Sequence, residues 1–292
     1  MLLPRVLTAI VLVAVLLATL TFATVNVFVS LSFVLAILAF WEWANLSGLK
    51  TQFNKVTYVF LGMLCLVDVF ALINYLPFVD FSRVSNVYLA VLNQESATDF
   101  LFNLFRFSTV VWGFIFLWVV SYPRSTPLWQ ATWVRLLLGG LVIIPFIASL
   151  IYLFRLTDGP QLLMYLIALV AIADSGAYVF GRLFGKHKLL EAVSPGKTWQ
   201  GFFGGLFSAV AFSTIVLSFG FSASLTPSQF LIMSVILSLV SVLGDLFESM
   251  LKRHRGIKDS SNILPGHGGI LDRIDSHVVA LPIFCVLYLS WM

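Results

Sequence analysis

VLTAIVLVAVLLATLTF, Val6 to Phe22, carries no charged residue and no alternation of polar with apolar positions. At 1.5 Å per residue, such a run with its neighbours reaches about 20 residues, enough to cross a hydrocarbon layer of about 30 Å as a helix. It is apolar on every face, as a helix surrounded by lipid or by other helices must be, whereas a helix on a soluble core keeps one polar side. A transmembrane barrel needs strands of about 10 residues with alternating polarity, and this run does not alternate. It follows a single basic residue, Arg5, as the apolar part of a signal peptide would. Its length and the many similar runs after it read instead as a retained helix.

Those runs extend through the chain, which has 292 residues, 60% of them hydrophobic and only 10% charged, with a mean hydropathy of +1.01. Apolar length and breaker residues place nine helices, near 5–22, 25–45, 57–79, 101–121, 133–154, 161–184, 201–221, 228–251 and 277–292. The fold class is all-α: a polytopic membrane protein of one domain, 1–292. Its N-terminal helices, 1–154, carry little besides hydropathy, and the chemistry concentrates in 161–292. Polar linker is confined to stretches near 80–100 and 122–132.

The connections sort by charge. Arg5, then Lys50 and Lys55, then Arg124 and Arg135, then Arg182, Lys186, Lys188 and Lys197, and finally the stretch after the eighth helix fall on alternate connections. The intervening connections hold little Lys or Arg beyond Arg83 and Arg155. By the positive-inside rule the basic connections and the N-terminus are cytoplasmic. The formal charge of +4 is then mostly an orientation signal and calls for no nucleic acid. Cys65 and Cys285 lie in separate apolar runs without metal-ligand spacing and read as small buried hydrophobes.

One segment breaks the hydrocarbon pattern. KRHRGIKDSSNILPGHGGILDRIDS, Lys252 to Ser276, packs five of the 17 basic and three of the 13 acidic residues into 25 positions. Asp259, Asp272 and Asp275 join Asp245 at the end of the preceding helix, where Ser241, Asp245, Glu248 or Ser249, and Lys252 recur at spacings of three and four along one face. Crowded carboxylates repel unless a cation neutralises them. Hard oxygen ligands of this kind suit Mg²⁺, which takes one or two protein carboxylates and completes its shell with water and phosphate. Lys252, Arg253, Lys258, Arg273 and the glycines of PGHGG, Gly268 among them, supply positive charge and closely approaching backbone N–H groups for an anion. His267, inside that turn, either donates to a phosphate or holds a neighbour.

A second basic connection contains SPGKTWQGFFGG, in which Ser194, Lys197 and Thr198 precede a glycine-bearing helix, an anion site in outline but neither a P-loop nor a dinucleotide fingerprint. Asp174, in IADSGAYVFGRLFGKHK, and Asp245 each lie within a few turns of a basic connection and can face one wet pocket. Two further acids are read differently. Glu42, between Trp41 and Trp43, suits an interfacial belt, and Asp68 has no basic residue in its helix and no assigned role.

The segment SMLKRHRGIKDSSNILPGHGGILDRID resembles the signature of the phosphatidate cytidylyltransferases, or CDP-diacylglycerol synthases. The resemblance extends to DSGAYVFGRLFGKHKL, SPGKTWQG and, more faintly, WEWANLSG; Gln200 departs from it, standing where many members have an acid. It implies a dimeric helical enzyme of the cytoplasmic membrane that transfers the cytidylyl group of CTP to phosphatidic acid and releases pyrophosphate at the cytoplasmic surface. Asp245 and Asp272 match the positions expected to hold Mg²⁺, with room for a second cation. Asp259 and Asp275 stand nearby, and Lys197, Lys258, His267 and Arg273 match positions expected to meet phosphates. The rival from another class is an ion-coupled transporter in which Asp68, Asp174 and Asp245 line one path; it leaves the clustered acids, bases and glycines without a purpose.

Overall fold

The computed structural model describes residues 3–74, 94–222, 224–264, 266 and 268–291. Among them nine long helices run α1 (Leu3–Phe22), α2 (Val25–Ser47), α3 (Gln52–Asn74), α4 (Gln94–Val120), α6 (Thr132–Phe154), α7 (Gly159–Phe184), α8 (Trp199–Ser218), α9 (Pro227–Arg255) and α10 (Leu271–Trp291). A single turn, α5 (Thr126–Trp129), interrupts the linker expected near 122–132. Eight of the helices are long and apolar enough to cross a membrane, and α1 contributes a shorter apolar segment, Thr8–Phe22.

Several boundaries move from their expected places for local reasons. Thr226 caps α9 through a reciprocal capping box with Gln229, and Pro227 occupies the first turn, where its missing N–H costs nothing. The last helix starts at Leu271 rather than near 277, so Asp272 falls in its first turn. The polar stretch expected near 80–100 falls partly outside the described residues, as does Arg83, and from Gln94 onward it is already α4.

One element was not expected in an all-helical chain. Between α7 and α8 the backbone forms a hairpin, β1 (Lys188–Leu190) antiparallel to β2 (Ser194–Thr198). Its register is held at one end by Gln200, whose Oε1 accepts from the amides of Lys186 and His187 at 3.0 and 3.2 Å. The substitution of an amide for an acid at this position therefore retains the acceptor that closes the hairpin.

α10 is the axis of the bundle. It packs against α4, α6 and α9 and touches α7 and α2, and its stretch Val278–Cys285 is buried throughout. α7 and α8 lie so close that a Cβ on Gly201 or Gly205 would come within 2.7 Å of the backbone oxygens of Ala177 or Ala173. Small residues at a membrane helix crossing let backbones approach and gain dispersion contacts where no hydrophobic force drives association. Polar ties add to this. The Tyr165 hydroxyl on α7 meets Ser213 of α8 at 2.9 Å and Ser234 of α9 at 2.6 Å. Trp43 Nε1 on α2 donates to the Arg135 carbonyl of α6 at 2.7 Å, binding the N-terminal helices into the same bundle.

Gly205→Leu should force α7 and α8 apart at a cost of about 1–3 kcal/mol. Its apparent Tm in detergent is expected to fall by about 5 °C or more. Gly113→Leu on α4, where an added Cβ meets nothing within 4 Å, should melt with the unmodified protein.

Candidate functional site

The loop between α9 and α10, residues 256–270, is organised around a carboxylate from the opposite end of the sequence. Glu42, near the end of α2, is wholly buried. Its Oε1 accepts from Ser261 Oγ at 2.6 Å and the Ile270 amide at 2.9 Å, and its Oε2 from Ser260 Oγ at 3.0 Å and the Leu271 amide at 2.8 Å. Two of these donors are the N–H groups of Ile270, just before α10, and Leu271, its first residue, neither of which has a partner within the helix, and a carboxylate there also meets the positive end of the helix dipole. Gly269 makes this approach possible, since a Cβ there would lie 2.0 Å from Ser260 Oγ and 2.6 Å from Glu42 Oε2.

Asp272 provides the second tie. Its Oδ2 accepts from the amides of Gly269 (2.7 Å) and Ser260 (3.0 Å) and shares with Glu42 the one hydroxyl proton of Ser260, whose Oγ lies 3.0 Å from each, while Oδ1 meets Lys252 Nζ at 2.7 Å. Lys252 also approaches the buried Glu248 at 3.5 Å, so one ammonium joins α9 to α10. Gly268, at a φ of +82°, presses against both Asp272 and Asp259, and its carbonyl accepts from the Leu264 amide at 2.9 Å, closing the turn.

Asp245 comes from the other side. Ser249 Oγ donates to its Oδ1 at 3.2 Å, and Lys197 of β2 reaches its Oδ2 at 2.7 Å. The hairpin thus presents Lys197 to α9, while Thr198 turns inward and caps α8, accepting from the Gly201 amide at 3.2 Å. Gly244 lets α10 close in from behind, its Cβ position lying 2.1 Å from the Asp275 carbonyl oxygen. Asp174 of α7 is held by a hydrogen bond from Ser276.

These parts enclose a cavity of about 620 Å³ lined by Asp174, Asp245, Asp259, Asp272 and Asp275 together with Lys197, Lys252, Arg182 and Arg273, and by Ser194 and Thr198. Most of the expected site residues are therefore gathered at one place. Arg253 and Lys258 are exposed and do not line the cavity, and His267 lies outside the described residues. Arg182 and Tyr178 also line it; the signal was present in YVFGRLFGKHK, where Arg182 follows Tyr178 by one helical turn and donates to its hydroxyl at 3.3 Å. Ser241, expected on the polar stripe, is buried and donates to the Ser238 carbonyl. Asp68 is exposed near the far end of α3, so it shares no cavity with Asp174 and Asp245. Among the described residues no three potential ligands converge closely enough to hold a metal ion unaided.

Against known proteins, residues 3–291 match the cytidylyltransferase family. A phosphatidate cytidylyltransferase of Haemophilus influenzae is 41% identical over 301 aligned positions, covering 99% of both chains. One from Pseudomonas aeruginosa is 36% identical over 247 positions, covering 85% of this chain and 82% of its own. One from Staphylococcus haemolyticus is 46% identical over 134 positions, 46% of this chain and 51% of its own.

Glu42→Gln keeps the size of the side chain but turns an NH₂ towards two donors. The loss is expected to be about 2–4 kcal/mol, given the cost of unpaired buried donors to a charged acceptor. The apparent Tm should fall, and a protease should cut within 256–270 in the variant while leaving the unmodified loop intact.

Proposed function

The chain belongs to the cytidylyltransferase family, and on that premise we propose how its pocket makes CDP-diacylglycerol and pyrophosphate from CTP and phosphatidic acid. The protein is an enzyme, a nucleotidyltransferase of phospholipid biosynthesis. The observation that carries the proposal is the pairing of Lys197 with Asp245 and Lys252 with Asp272, each at 2.7 Å, across one cavity.

A phosphate oxygen of phosphatidic acid attacks the α-phosphorus of CTP, forming the new P–O bond as the bond to the β-phosphate breaks and pyrophosphate leaves with the electron pair. The lipid phosphate is already an anion, so no strong base is needed. The barrier lies in bringing two anions together and in the charge on the leaving group. Lys197, Lys252, Arg182 and Arg273 line the space where both meet and lower that repulsion by their charge. In this reading the two lysines exchange a carboxylate for a phosphate when substrate enters.

The donor set fits Mg²⁺: the acids outnumber the lysines in the cavity, all offer hard oxygen, and two carboxylates suffice when substrate phosphates complete the shell. Asp245 and Asp272 would hold it, and Asp174, Asp259 and Asp275 line the same cavity and would face a second cation. Bound there, the metal supplies charge neutralisation at the transferring and departing phosphates. Arg253 and Lys258, exposed outside the cavity, attract CTP from solution. The basic residues Lys50, Arg124 and Lys186 in connections, Lys55 in the first turn of α3 and Lys188 in β1 lie at the cavity's end of the bundle, which supports a cytoplasmic active site in the inner membrane. The family resemblance adds a homodimer.

Purified protein should release pyrophosphate from CTP only with phosphatidic acid and a divalent metal, and CDP-diacylglycerol should accumulate in equal amount. Asp245→Asn, Asp272→Asn and Lys197→Met should each lose about 100-fold or more in kcat. Lys258→Met should act mainly on KM for CTP. Lipid-independent release, or full activity of folded Asp245→Asn, would exclude this assignment.

A further inference from the structure

A second cavity, of about 670 Å³, adjoins the first, and the two share Leu189 of β1, Phe202 of α8 and Val242 of α9 as a common wall. Its chemistry is the opposite of its neighbour's: among the described residues no charged side chain lines it, and Thr109 brings one of its few polar atoms. On α4 the lining positions are Thr109, Trp112, Gly113, Phe116 and Val119–Val120, spacings of three and four that make one continuous helix face. The facing wall on α9 runs from Leu239 to Leu246.

Depth and direction follow from the helices. Val120 is the end of α4 that leads into the basic connection with Arg124, and Leu246 directly follows Asp245. Thr109 and Leu239 lie towards the bundle's middle. The groove therefore starts beside the charged pocket and descends along α4 for roughly 16 Å. That is about half of a hydrocarbon layer of about 30 Å, the depth of one leaflet.

We infer that this groove holds an acyl chain of the lipid substrate and that Gly113 sets the bulk of chain it admits. The inference rests on the reaction proposed above and extends it to lipid selection. A phosphatidic acid whose phosphate meets Lys197 and Lys252 must keep its chains in hydrocarbon. The shared wall offers the shortest path from that phosphate to an apolar channel of leaflet depth. Gly113 is the position where the channel's width is set, because it is exposed, lines the groove, and an added Cβ would meet no atom within 4 Å. A larger side chain there fills the groove without disturbing α4.

The test compares formation of CDP-diacylglycerol from didecanoyl and dioleoyl phosphatidic acid in mixed micelles by the unmodified protein, Gly113→Ala and Gly113→Leu. Gly113→Leu should lower kcat/KM for the dioleoyl lipid by about tenfold or more. The didecanoyl lipid and KM for CTP should stay within about twofold of the unmodified values, with Gly113→Ala intermediate. Equal loss on both lipids, no change on either, or an altered oligomeric state with unchanged chain preference would overturn the groove assignment while leaving the reaction intact. Failure of the unmodified protein to form product from either lipid would instead overturn the reaction and the groove with it.

Discussion

A buried carboxylate with no ammonium beside it must be held by hydrogen bonds, and Glu42 is held by four. Two come from serine hydroxyls of the α9–α10 loop and two from amides at the start of α10. Turning either oxygen into a donor would leave two of these groups buried without an acceptor, and this ties the loop to α2. Asp272 then falls where it gathers Gly269 and Ser260 on one oxygen and Lys252 on the other. The carboxylate that we assign to metal is thus also part of the framework that fixes the loop.

This arrangement assigns work to the two halves of the chain. Among the described residues, every charged side chain that lines the cavity comes from 174–275, that is from α7, α9, α10, the hairpin and the α9–α10 loop. The N-terminal helices supply the clamp, through Glu42, and one wall of the apolar groove, through α4. The boundary between charged pocket and groove is made by Leu189, Phe202 and Val242, so an amphiphile can keep its phosphate among lysines and its chains among Phe, Leu and Val. A helical membrane bundle can tolerate this charged pocket because the acids are paired with lysines and hydrogen-bond donors rather than facing lipid.

Much of this was legible in the sequence because it depended on local chemistry. Apolar length placed the nine helices, and the density of acids, bases and glycines in Lys252–Ser276 marked the pocket before any geometry was known. What escaped depended on contacts between distant residues. Glu42 reads as interfacial from its flanking tryptophans, yet its partners lie more than 200 positions away, and nothing within WEWANLSG points to them. The hairpin Lys188–Thr198 carries two basic residues and a Pro-Gly pair, so its strands lack the alternation that identifies a sheet. Lys258, in the turn after α9, and Arg253, on the last turn of that helix, share the chemistry of the pocket residues but are exposed to solvent; composition alone cannot tell which basic residue turns inward.

The most direct measurement is hydrogen exchange at the amides of residues 256–272 in the unliganded, unmodified protein. Surface loops ordinarily exchange near the rate of an unfolded chain. If Glu42 and Asp272 hold this one, the amides of Ser260, Gly269, Ile270 and Leu271 should be protected as strongly as those inside α10, while that of the exposed Lys258 exchanges freely. Fast exchange across the whole segment would mean that the loop is not fixed before substrate binds, contradicting the clamp on which the site depends.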